Sequence, residues 1–275
     1  MKLSDIKQIL VENRIQLTKS LGQNFMHDGN QLRRIVDAAA LEPSDPVLEV
    51  GPGLGPLTEL LIAHASHVLA IEKDGRLCEI LAKRFADSKN FELVHADALA
   101  YLTQPGRDWS QHKLVSNLPY SIASRLIVSL ALDANGPRRI VTTLQKEVAL
   151  RLRARADDPN YGLLSLLVQL RYQPLDTFKV PASCFFPAPD VDSACVTLVR
   201  RAEPLLSPAL QPMYEKIVRQ SFSQRRKVMF KLLKNMSSEA DLSAAFSQAE
   251  IPLQARAETV RLEQFIQLAK TLSQK

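Results

Sequence analysis

Residues 116–120, Ser-Asn-Leu-Pro-Tyr, combine hydrogen-bond acceptors, a rigid backbone and an aromatic ring within one short segment. A strand-like apolar run precedes this segment and a helical pattern follows it. Pro119 fixes its own φ and keeps Leu118 extended, so the carbonyl groups here point in fixed directions. The amide of Asn117 supplies a further acceptor, and Tyr120 supplies a flat surface. Acceptors beside a stacking plane suit a planar group that carries an amine, although turns with an Asn-x-Pro sequence are also common without any such role.

The run 49–55, Glu-Val-Gly-Pro-Gly-Leu-Gly, follows another strand-like stretch and opens a helical pattern. Glycine lets a backbone turn tightly and approach a ligand closely, so the run is a candidate nucleotide-binding loop. Its spacing is Gly-x-Gly-x-Gly, which lacks the third glycine of the dinucleotide pattern and the lysine of a phosphate-binding loop. Pyrophosphate cofactors are therefore not favoured, and the loop alone could equally be a structural turn.

Two carboxylates give this loop a more specific meaning. Glu72 ends the next strand, 21 positions after Gly51, where an acid in an α/β fold can accept both hydroxyl groups of a ribose. Asp97 follows the third strand, where it could accept from an adenine amine. Each acid alone is more simply explained as a helix cap or a surface charge, but a glycine loop with acids after the next two strands is much less expected by chance. A ligand with a ribose and an adenine but no phosphate fits S-adenosylmethionine.

Short apolar strands alternate with helical patterns through the first half of the chain. We predict strands at 47–50, 67–72, 91–94, 113–116 and 139–144, and helices at 57–65, 75–85, 122–132 and 146–153. This alternation predicts an α/β fold with right-handed crossovers and a mainly parallel sheet covered on both faces. The carboxyl ends of the strands form the ligand-facing edge of such a sheet, and Asn117 and Tyr120 follow one of those ends.

Other elements precede and follow this alternation. We predict a helix at 4–16, a loop at 21–28, a helix at 30–40 capped by Asp28, a helix at 163–170 and a closing strand at 191–200. Helical patterns near 209–222, 224–235, 240–248 and 259–272 come after a proline-containing stretch, with no strand signal among them. The predicted domains are therefore a catalytic domain over 1–203, with an N-terminal extension over 1–45, and an all-α domain over 204–275.

The composition is that of an ordinary globular protein, with 46% hydrophobic and 23% charged residues among 275. No apolar run approaches the length of a membrane span, and the N-terminus lacks the apolar core of a signal peptide. The three cysteines, Cys78, Cys184 and Cys195, have no pairing motif, which favours a reducing, cytoplasmic setting. No Cys or His grouping has the spacing of a zinc site, so no metal is expected.

The positive charge is concentrated near the C-terminus. Residues 1–200 carry 23 basic and 22 acidic side chains, whereas residues 201–275 carry 12 basic and 7 acidic ones, a balance of +5. Most of this excess comes from Lys216, Arg219, Arg225, Arg226, Lys227, Lys231 and Lys234. A basic cluster on a helical module is typical of polyanion binding, although a charge run can also serve only to solvate a helix face.

Together these motifs resemble those of the class I, S-adenosylmethionine-dependent adenine N6-methyltransferases. More closely, the chain resembles the ribosomal RNA adenine dimethyltransferases of the bacterial small-subunit type along essentially its whole length. The matching segments, besides those above, are 21–25 (Leu-Gly-Gln-Asn-Phe), 145–149 (Gln-Lys-Glu-Val-Ala), 161–165 (Tyr-Gly-Leu-Leu-Ser), 191–194 (Val-Asp-Ser-Ala), 222–227 (Phe-Ser-Gln-Arg-Arg-Lys) and 256–258 (Arg-Ala-Glu). The resemblance implies a Rossmann-like domain with a mainly parallel, seven-stranded sheet, followed by a small helical rRNA-binding domain.

The resemblance also implies roles for individual residues. The cofactor would be S-adenosylmethionine, with contacts from Asn24, Met26, Gly51, Gly53, Glu72, Asp97 and Asn117. The catalytic group would be Asn117, Leu118, Pro119 and Tyr120, with Phe185 pairing with Tyr120 to stack the target adenine. Five of the basic residues, Arg219, Arg225, Arg226, Lys227 and Lys231, are the expected rRNA contacts. The positions that depart from the usual family pattern, none of which removes a reacting group, are Met26, Ala96, Arg125 and Asp190.

The implied activity is methyl transfer to the N6 amines of two adjacent adenosines in a hairpin near the 3′ end of 16S rRNA, by a monomer acting on an immature 30S particle. The amine of adenine is a poor nucleophile because its lone pair is delocalised into the ring. Two acceptors out of the ring plane, the Asn117 side-chain oxygen and the Leu118 carbonyl, could hold both N–H bonds and localise that lone pair. Alternatives are a large-subunit rRNA adenine methyltransferase of the antibiotic-resistance type and a ribosome-assembly factor with little turnover. The basic helical module disfavours a small-molecule substrate.

Overall fold

The computed structural model describes residues 1–17, 22–224 and 226–274. Contacts divide the chain into two compact units. The first comprises Met1–Ala149 and Pro174–Arg200, and the second comprises Leu150–Gln173 and Arg201–Lys275. The second unit therefore takes in residues 150–173, which the sequence places in the first domain.

Hydrogen bonds explain why residues 150–173 belong with the C-terminal helices. Tyr214 Oη donates to the Leu166 carbonyl at 2.9 Å, and Tyr161 Oη donates to the Val260 carbonyl at 2.9 Å. Both tyrosine side chains are buried, so each hydroxyl needs a partner inside the unit. The apolar stretch that continues the α/β alternation in sequence is thus packed into the all-α unit instead.

Nine strands are present among the described residues, and seven of them form one sheet. In chain order the strands are β1 (Phe25–Met26), β2 (Pro46–Val50), β3 (His67–Glu72), β4 (Phe91–His95), β5 (Lys113–Asn117), β6 (Arg139–Gln145), β7 (Tyr172–Val180), β8 (Phe185–Phe186) and β9 (Ser193–Arg200). The large sheet has the order β4-β3-β2-β5-β6-β9-β7. Its first five strands are parallel to one another, and β9 is antiparallel to β6. The prediction of a mainly parallel, seven-stranded α/β sheet is confirmed.

The central strands are buried on both faces, which is why their sequences are nearly continuous apolar runs. Val47, Val115 and Val141 lie on β2, β5 and β6 and are fully buried. They belong to one apolar cluster that also contains Ile35 and Leu61, from the helices that cover the sheet. This packing holds the strand ends, and the residues that follow them, in fixed positions.

The helices along this part of the chain are α1 (Leu3–Glu12), α2 (Gly29–Ala39), α3 (Pro56–His64), α4 (Gly75–Arg84), α5 (Ala98–Leu102), α6 (Tyr120–Leu132) and α7 (Lys146–Arg153). The predicted cap of α2 is confirmed, because the Asp28 carboxylate accepts from the Gln31 N–H at 2.9 Å. The first helix ends earlier than predicted, since the Asn13 amide donates to the Ile9 carbonyl and Arg14 is left-handed. Helix α5 was not predicted, because five residues are too few to display a helical period.

Two short strands were not predicted, and one of them, β1, lies in the predicted loop at 21–28. Strand β1 pairs antiparallel with β8, and the register places Phe25 opposite Phe186 and Met26 opposite Phe185. A strand of two residues is too short to show a period of two in its sequence, so these strands are recognised only from their pairing in the structure. Leu21, which the same predicted loop includes, lies outside the described residues.

The second unit contains α8 (Leu163–Gln169), α9 (Gln211–Ser221), α10 (Met229–Leu233), α11 (Glu239–Gln248) and α12 (Leu262–Leu272). The predicted helix over 224–235 is wrong in extent. In this range, the described residues before Met229 are not helical. The Met229 N–H donates to the Ala255 carbonyl and not to a carbonyl of a preceding turn. That contact, made across the unit, sets where α10 begins.

Candidate active site

A cavity of about 270 Å³ opens at the edge of the sheet where the parallel strands end. It lies entirely within the first unit. The predicted residues that line it are Asn24, Met26, Gly51, Gly53, Glu72, Asp97, Asn117, Leu118, Pro119 and Tyr120. The fold therefore brings together the glycine loop, both acids and the segment after β5, as expected for the carboxyl edge of a parallel sheet.

The glycine loop after β2 is shaped by close neighbours as well as by backbone torsions. Gly51 and Gly53 have φ values of +66° and +63°, a region that other residues adopt at a cost. A Cβ on Gly53 would lie 2.8 Å from a ring carbon of Phe25, and one on Gly51 would lie 3.1 Å from Pro119. Glycine at both positions thus lets the loop approach β1 and the segment after β5.

Glu72 is held as a buried acceptor at the end of β3. Its carboxylate receives the N–H groups of Gly53, Lys73 and Asp74 at 3.2, 2.8 and 2.9 Å. Burial raises the pKa of Glu72, and these N–H donors oppose the rise. The side chain ties the glycine loop to β3 and presents carboxylate oxygens to the cavity.

Asp97 has two local partners. Its Oδ1 accepts from the backbone N–H groups of Leu99 and Ala100, so it caps α5. Its Oδ2 lies 2.8 Å from Lys73 Nζ, and this lysine is the main reason that the pKa of Asp97 is lowered. The helix-cap alternative is therefore present in the structure, and the same carboxylate also lines the cavity.

The Asn117 amide is oriented by a contact that sequence spacing does not reveal. Its Nδ2 donates to the Asn24 carbonyl at 3.1 Å, from a residue 93 positions away. Its Oδ1 is buried and has no partner among the described residues. The Leu118 carbonyl also accepts no hydrogen bond from that part of the chain. Asn117 and Leu118 both line the cavity, and each keeps an oxygen that accepts no hydrogen bond from the described residues.

The two rings that were expected to form a stacking clamp, Tyr120 and Phe185, differ in their burial. Tyr120 lines the cavity, its hydroxyl is 2.5 Å from Ser193 Oγ, and burial raises its pKa so that the phenol stays neutral. Phe185 does not line the cavity. It is 3% exposed and belongs to the apolar core with Met26 and Leu32. The pairing of β8 with β1 places Phe185 opposite Met26. The stacking role of Phe185 stays a prediction.

Glu49 is a cavity residue to which the sequence analysis gave no role. It is 2% exposed, and its Oε2 has no partner among the described residues. Its pKa is raised to about 8, mainly by burial; Thr58 opposes this rise and the charge of Glu72 adds to it. An acid inside the apolar run Val47–Val50 was the signal that could have identified it, because ionisable side chains are rarely buried without a reason.

The basic residues of the second unit are exposed, as a binding surface requires. Arg219, near the end of α9, lies 3.7 Å from Glu215. Arg226 and Lys227 are exposed in the non-helical segment before α10, and Lys231 is exposed on α10 itself. The other predicted contact, Arg225, lies outside the described residues.

The described part of the chain contains no group of three or more His, Cys, Asp or Glu side chains placed to hold a metal ion. In the same residues, none of the helices has both the length and the apolar character needed to cross a bilayer.

Comparisons with known proteins place this chain in one family. The sequence model of ribosomal RNA adenine dimethylases matches residues 14–274. The chain belongs to this family. The dimethylase sequence is also 37% identical, over 272 residues, to ribosomal RNA small subunit methyltransferase A of Clostridium perfringens, covering 96% of this chain and 95% of that protein.

Two solved structures resemble this dimethylase over most of its length. The 23S rRNA methyltransferase ErmE superposes with a TM-score of 0.70 at 32% identity, covering 91% of this chain and 100% of that one. A dimethyladenosine transferase from Plasmodium falciparum superposes with a TM-score of 0.73 at 27% identity, covering 89% and 95%. The chain is therefore an S-adenosylmethionine-dependent rRNA adenine dimethyltransferase.

The lining of the cavity fits the methyl donor of this family. The glycine loop lies close against Phe25 and Pro119 at the cavity wall, and Glu72 offers carboxylate oxygens to hydroxyl groups. The Oε2 of Glu49, which has no partner among the described residues, adds an acid that a cationic ligand would stabilise in its charged form. These groups suit a nucleoside that carries positive charge and no phosphate.

Proposed function

We propose that this dimethylase methylates the N6 amines of two adjacent adenosines in a hairpin near the 3′ end of small-subunit (16S) rRNA. The observation that carries the proposal is the oriented amide of Asn117, a lining residue whose oxygen has no partner among the described residues. The 37% identity to a small subunit methyltransferase supports the choice of RNA.

Asn117 and Leu118 would prepare the amine for reaction. The Asn117 oxygen and the Leu118 carbonyl accept the two N–H bonds and localise the nitrogen lone pair, so no strong base is needed. Pro119 keeps the Leu118 carbonyl fixed, and the Asn24 carbonyl keeps the Asn117 amide from rotating. For a second methylation one N–H remains, and one of the two acceptors still holds it.

The cofactor would lie along the glycine loop. S-adenosylmethionine supplies a methyl group bound to a positively charged sulfur. Gly51 and Gly53 allow close approach of the backbone, Glu72 accepts from the ribose hydroxyls, and Asp97 accepts from the adenine amine. Asn24 and Met26 enclose the opposite side.

Tyr120 would stack the target base after it leaves its helix. Base–aromatic stacking is worth about 1–3 kcal/mol, comparable with the cost of unstacking a base. Tyr120 lines the cavity, whereas Phe185 is buried in the core opposite Met26, which is a lining residue. We therefore assign the direct stacking role to Tyr120 and propose that Phe185 contributes by shaping the wall.

The basic residues Arg219, Arg226, Lys227 and Lys231, together with Arg225, would contact rRNA phosphates. Such contacts set orientation and do not specify sequence. The substrate particle would be an immature 30S subunit, acted on by a monomer in the cytoplasm. In this scheme the first unit, with residues 1–45 as its N-terminal extension, is catalytic, and the C-terminal helices bind RNA.

Methylation of 23S rRNA is a second candidate, since ErmE is a 23S rRNA methyltransferase that shares 32% identity with this chain. The experiment that separates the candidates uses labelled S-adenosylmethionine with immature small subunits, large subunits and naked rRNA, followed by nucleoside analysis. We expect dimethyladenosine in the RNA of immature small subunits. Dimethyladenosine found only in large-subunit RNA would overturn the proposal in favour of the second candidate, and binding without product would indicate an assembly factor.

A further inference from the structure

One hydrogen bond joins the active-site segment to the start of β9. The hydroxyl groups of Tyr120 and Ser193 are 2.5 Å apart. Ser193 is fully buried, whereas Tyr120 is half-buried and lines the cavity. From this contact we infer that Ser193 is a positioning residue, which holds the Tyr120 ring in the orientation needed to stack the target adenine. The inference rests on the proposed stacking role of Tyr120.

The antiparallel direction of β9 explains how Ser193 reaches the site. The register pairs Ser193, the first residue of β9, with Gln145, the last residue of β6. Because β6 is parallel to the other central strands, its last residue lies at the edge where the cavity opens. An antiparallel neighbour begins at that edge, so its first side chain is available there.

Ser193 is itself a fixed point. The carbonyl of the preceding residue, Asp192, accepts from the Lys146 N–H at 3.0 Å. The Asp192 carboxylate lies 2.7 Å from Lys179 Nζ. The next residue, Ala194, is buried and pairs with Leu144 in the sheet. Ser193 is thus held on both sides, and movement of the Tyr120 hydroxyl relative to it would break the bond.

A tyrosine ring needs such a restraint more than an aliphatic side chain does. Rotation about the bond between Cβ and the ring has broad minima, so packing at the base of the ring alone leaves its plane loosely defined. A hydrogen bond at the far end of the ring restricts this rotation. The ring is then already aligned when the base arrives, and less freedom is lost on stacking.

The test compares Ser193→Ala, Tyr120→Phe and the double variant. Each single change breaks the same bond, and Tyr120→Phe does so without altering β9. We expect each to lower the single-turnover transfer rate on immature small subunits about three- to tenfold, with the double variant no slower than the slower single variant. Cofactor affinity, measured by titration, should stay unchanged in all three.

Controls separate this inference from the stacking role itself. Thr197→Val removes a buried hydroxyl farther along β9 and should transfer at the wild-type rate. Single losses that multiply in the double variant, or a wild-type rate for Tyr120→Phe, would overturn the positioning role. In that second case, inactivity of Tyr120→Ala would leave stacking intact. A wild-type rate for Tyr120→Ala would instead contradict the stacking proposal.

Discussion

At the scale of single residues, the site is defined by side-chain oxygen atoms. Some have no hydrogen-bond partner among the described residues, and others are held by backbone N–H groups. Asn117 offers an oxygen because its nitrogen is already bound to the Asn24 carbonyl. Glu72 has its carboxylate oriented by three backbone N–H groups. Glu49 is buried with an unpartnered oxygen and a raised pKa. Because these side chains are buried or partly buried, their hydrogen bonding and charge can be tested by substitution.

Replacement of Asn117 by alanine should remove most of the methyl transfer and weaken cofactor binding much less. Loss of one oriented acceptor is expected to lower the rate about 10²- to 10³-fold. Thr143→Val is a matched control, because Thr143 pairs with Asn117 in the sheet and its buried hydroxyl has no partner among the described residues. That control should keep its activity. Transfer at the wild-type rate in Asn117→Ala would contradict the proposed role of the acceptor.

Glu49 makes stability depend on pH in a defined direction. Its pKa is raised from 4.5 to about 8, so the folded chain retains a proton that the unfolded chain releases. The contribution of Glu49 to the free energy of unfolding is full below pH 4.5 and is lost as the pH rises towards about 8. Since glutamine mimics the protonated acid, Glu49→Gln should reduce the decrease in unfolding free energy between pH 5 and 8 by about 3 kcal/mol.

Urea denaturation of the cofactor-free protein at several pH values measures this difference. Glu79→Gln, at an exposed position, is the control and should follow the wild-type profile. If Glu49→Gln also follows the wild-type profile, the pKa of Glu49 does not differ between the folded and unfolded chain, and the prediction is wrong.

At the scale of elements, the site depends on loops that can approach one another. The glycine loop, β1 and the segment after β5 meet because Gly51 and Gly53 have no side chains. Strand β1 is in turn fixed by its pairing with β8. The wall of the cavity is therefore built from short segments far apart in sequence.

Gly53→Ala should weaken cofactor binding. Its new Cβ would meet the Phe25 ring at 2.8 Å, so the ring must shift at the cavity wall. Overpacking of this kind costs about 1–3 kcal/mol, and a loss of that size in binding free energy corresponds to about 5- to 150-fold in affinity. Gly106→Ala provides the matched control, because Gly106 also has a positive φ but has no neighbour within 4 Å of the added Cβ.

Calorimetric titration with S-adenosylmethionine checks this prediction. Both variants bear the cost of the left-handed backbone, and Gly53→Ala also bears the cost of overpacking, so its melting temperature should fall further. Only Gly53→Ala should lose affinity. Equal affinities in the two variants would show that the contact with Phe25 has no influence on the cavity.

At the scale of the whole molecule, two units divide the work in the proposed reaction. The first carries the cavity, and the second carries most of the excess positive charge. A polyanionic substrate is held mainly through its phosphates, so its affinity should respond to salt. The exposed pair Arg226 and Lys227 offers a direct measurement of that contribution.

Arg226→Ala/Lys227→Ala should bind small-subunit rRNA more weakly and with a flatter salt dependence. The slope of log affinity against log salt should decrease by about 1.5, since each phosphate contact contributes about 0.7–0.9. Filter binding at several salt concentrations provides the slope. Lys83→Ala/Lys89→Ala removes the same charge from exposed positions of the first unit. If both double variants change the slope equally, the effect is one of net charge and not of a binding surface.

The sequence by itself determined the α/β alternation, the strand ends and the type of residue that follows each end. Periodicity and glycine or proline positions are local properties, so the glycine loop, the two acids after the next strands and residues 116–120 were identified from residue type and spacing. The remaining cavity residues, Asn24 and Met26, were expected only from the family resemblance. Tertiary structure decided the pairing of β1 with β8, and with it the burial of Phe185. It also decided the orientation of Asn117, the burial of Glu49 and the inclusion of residues 150–173 in the second unit. These features depend on contacts between residues far apart along the chain, and no local pattern records them.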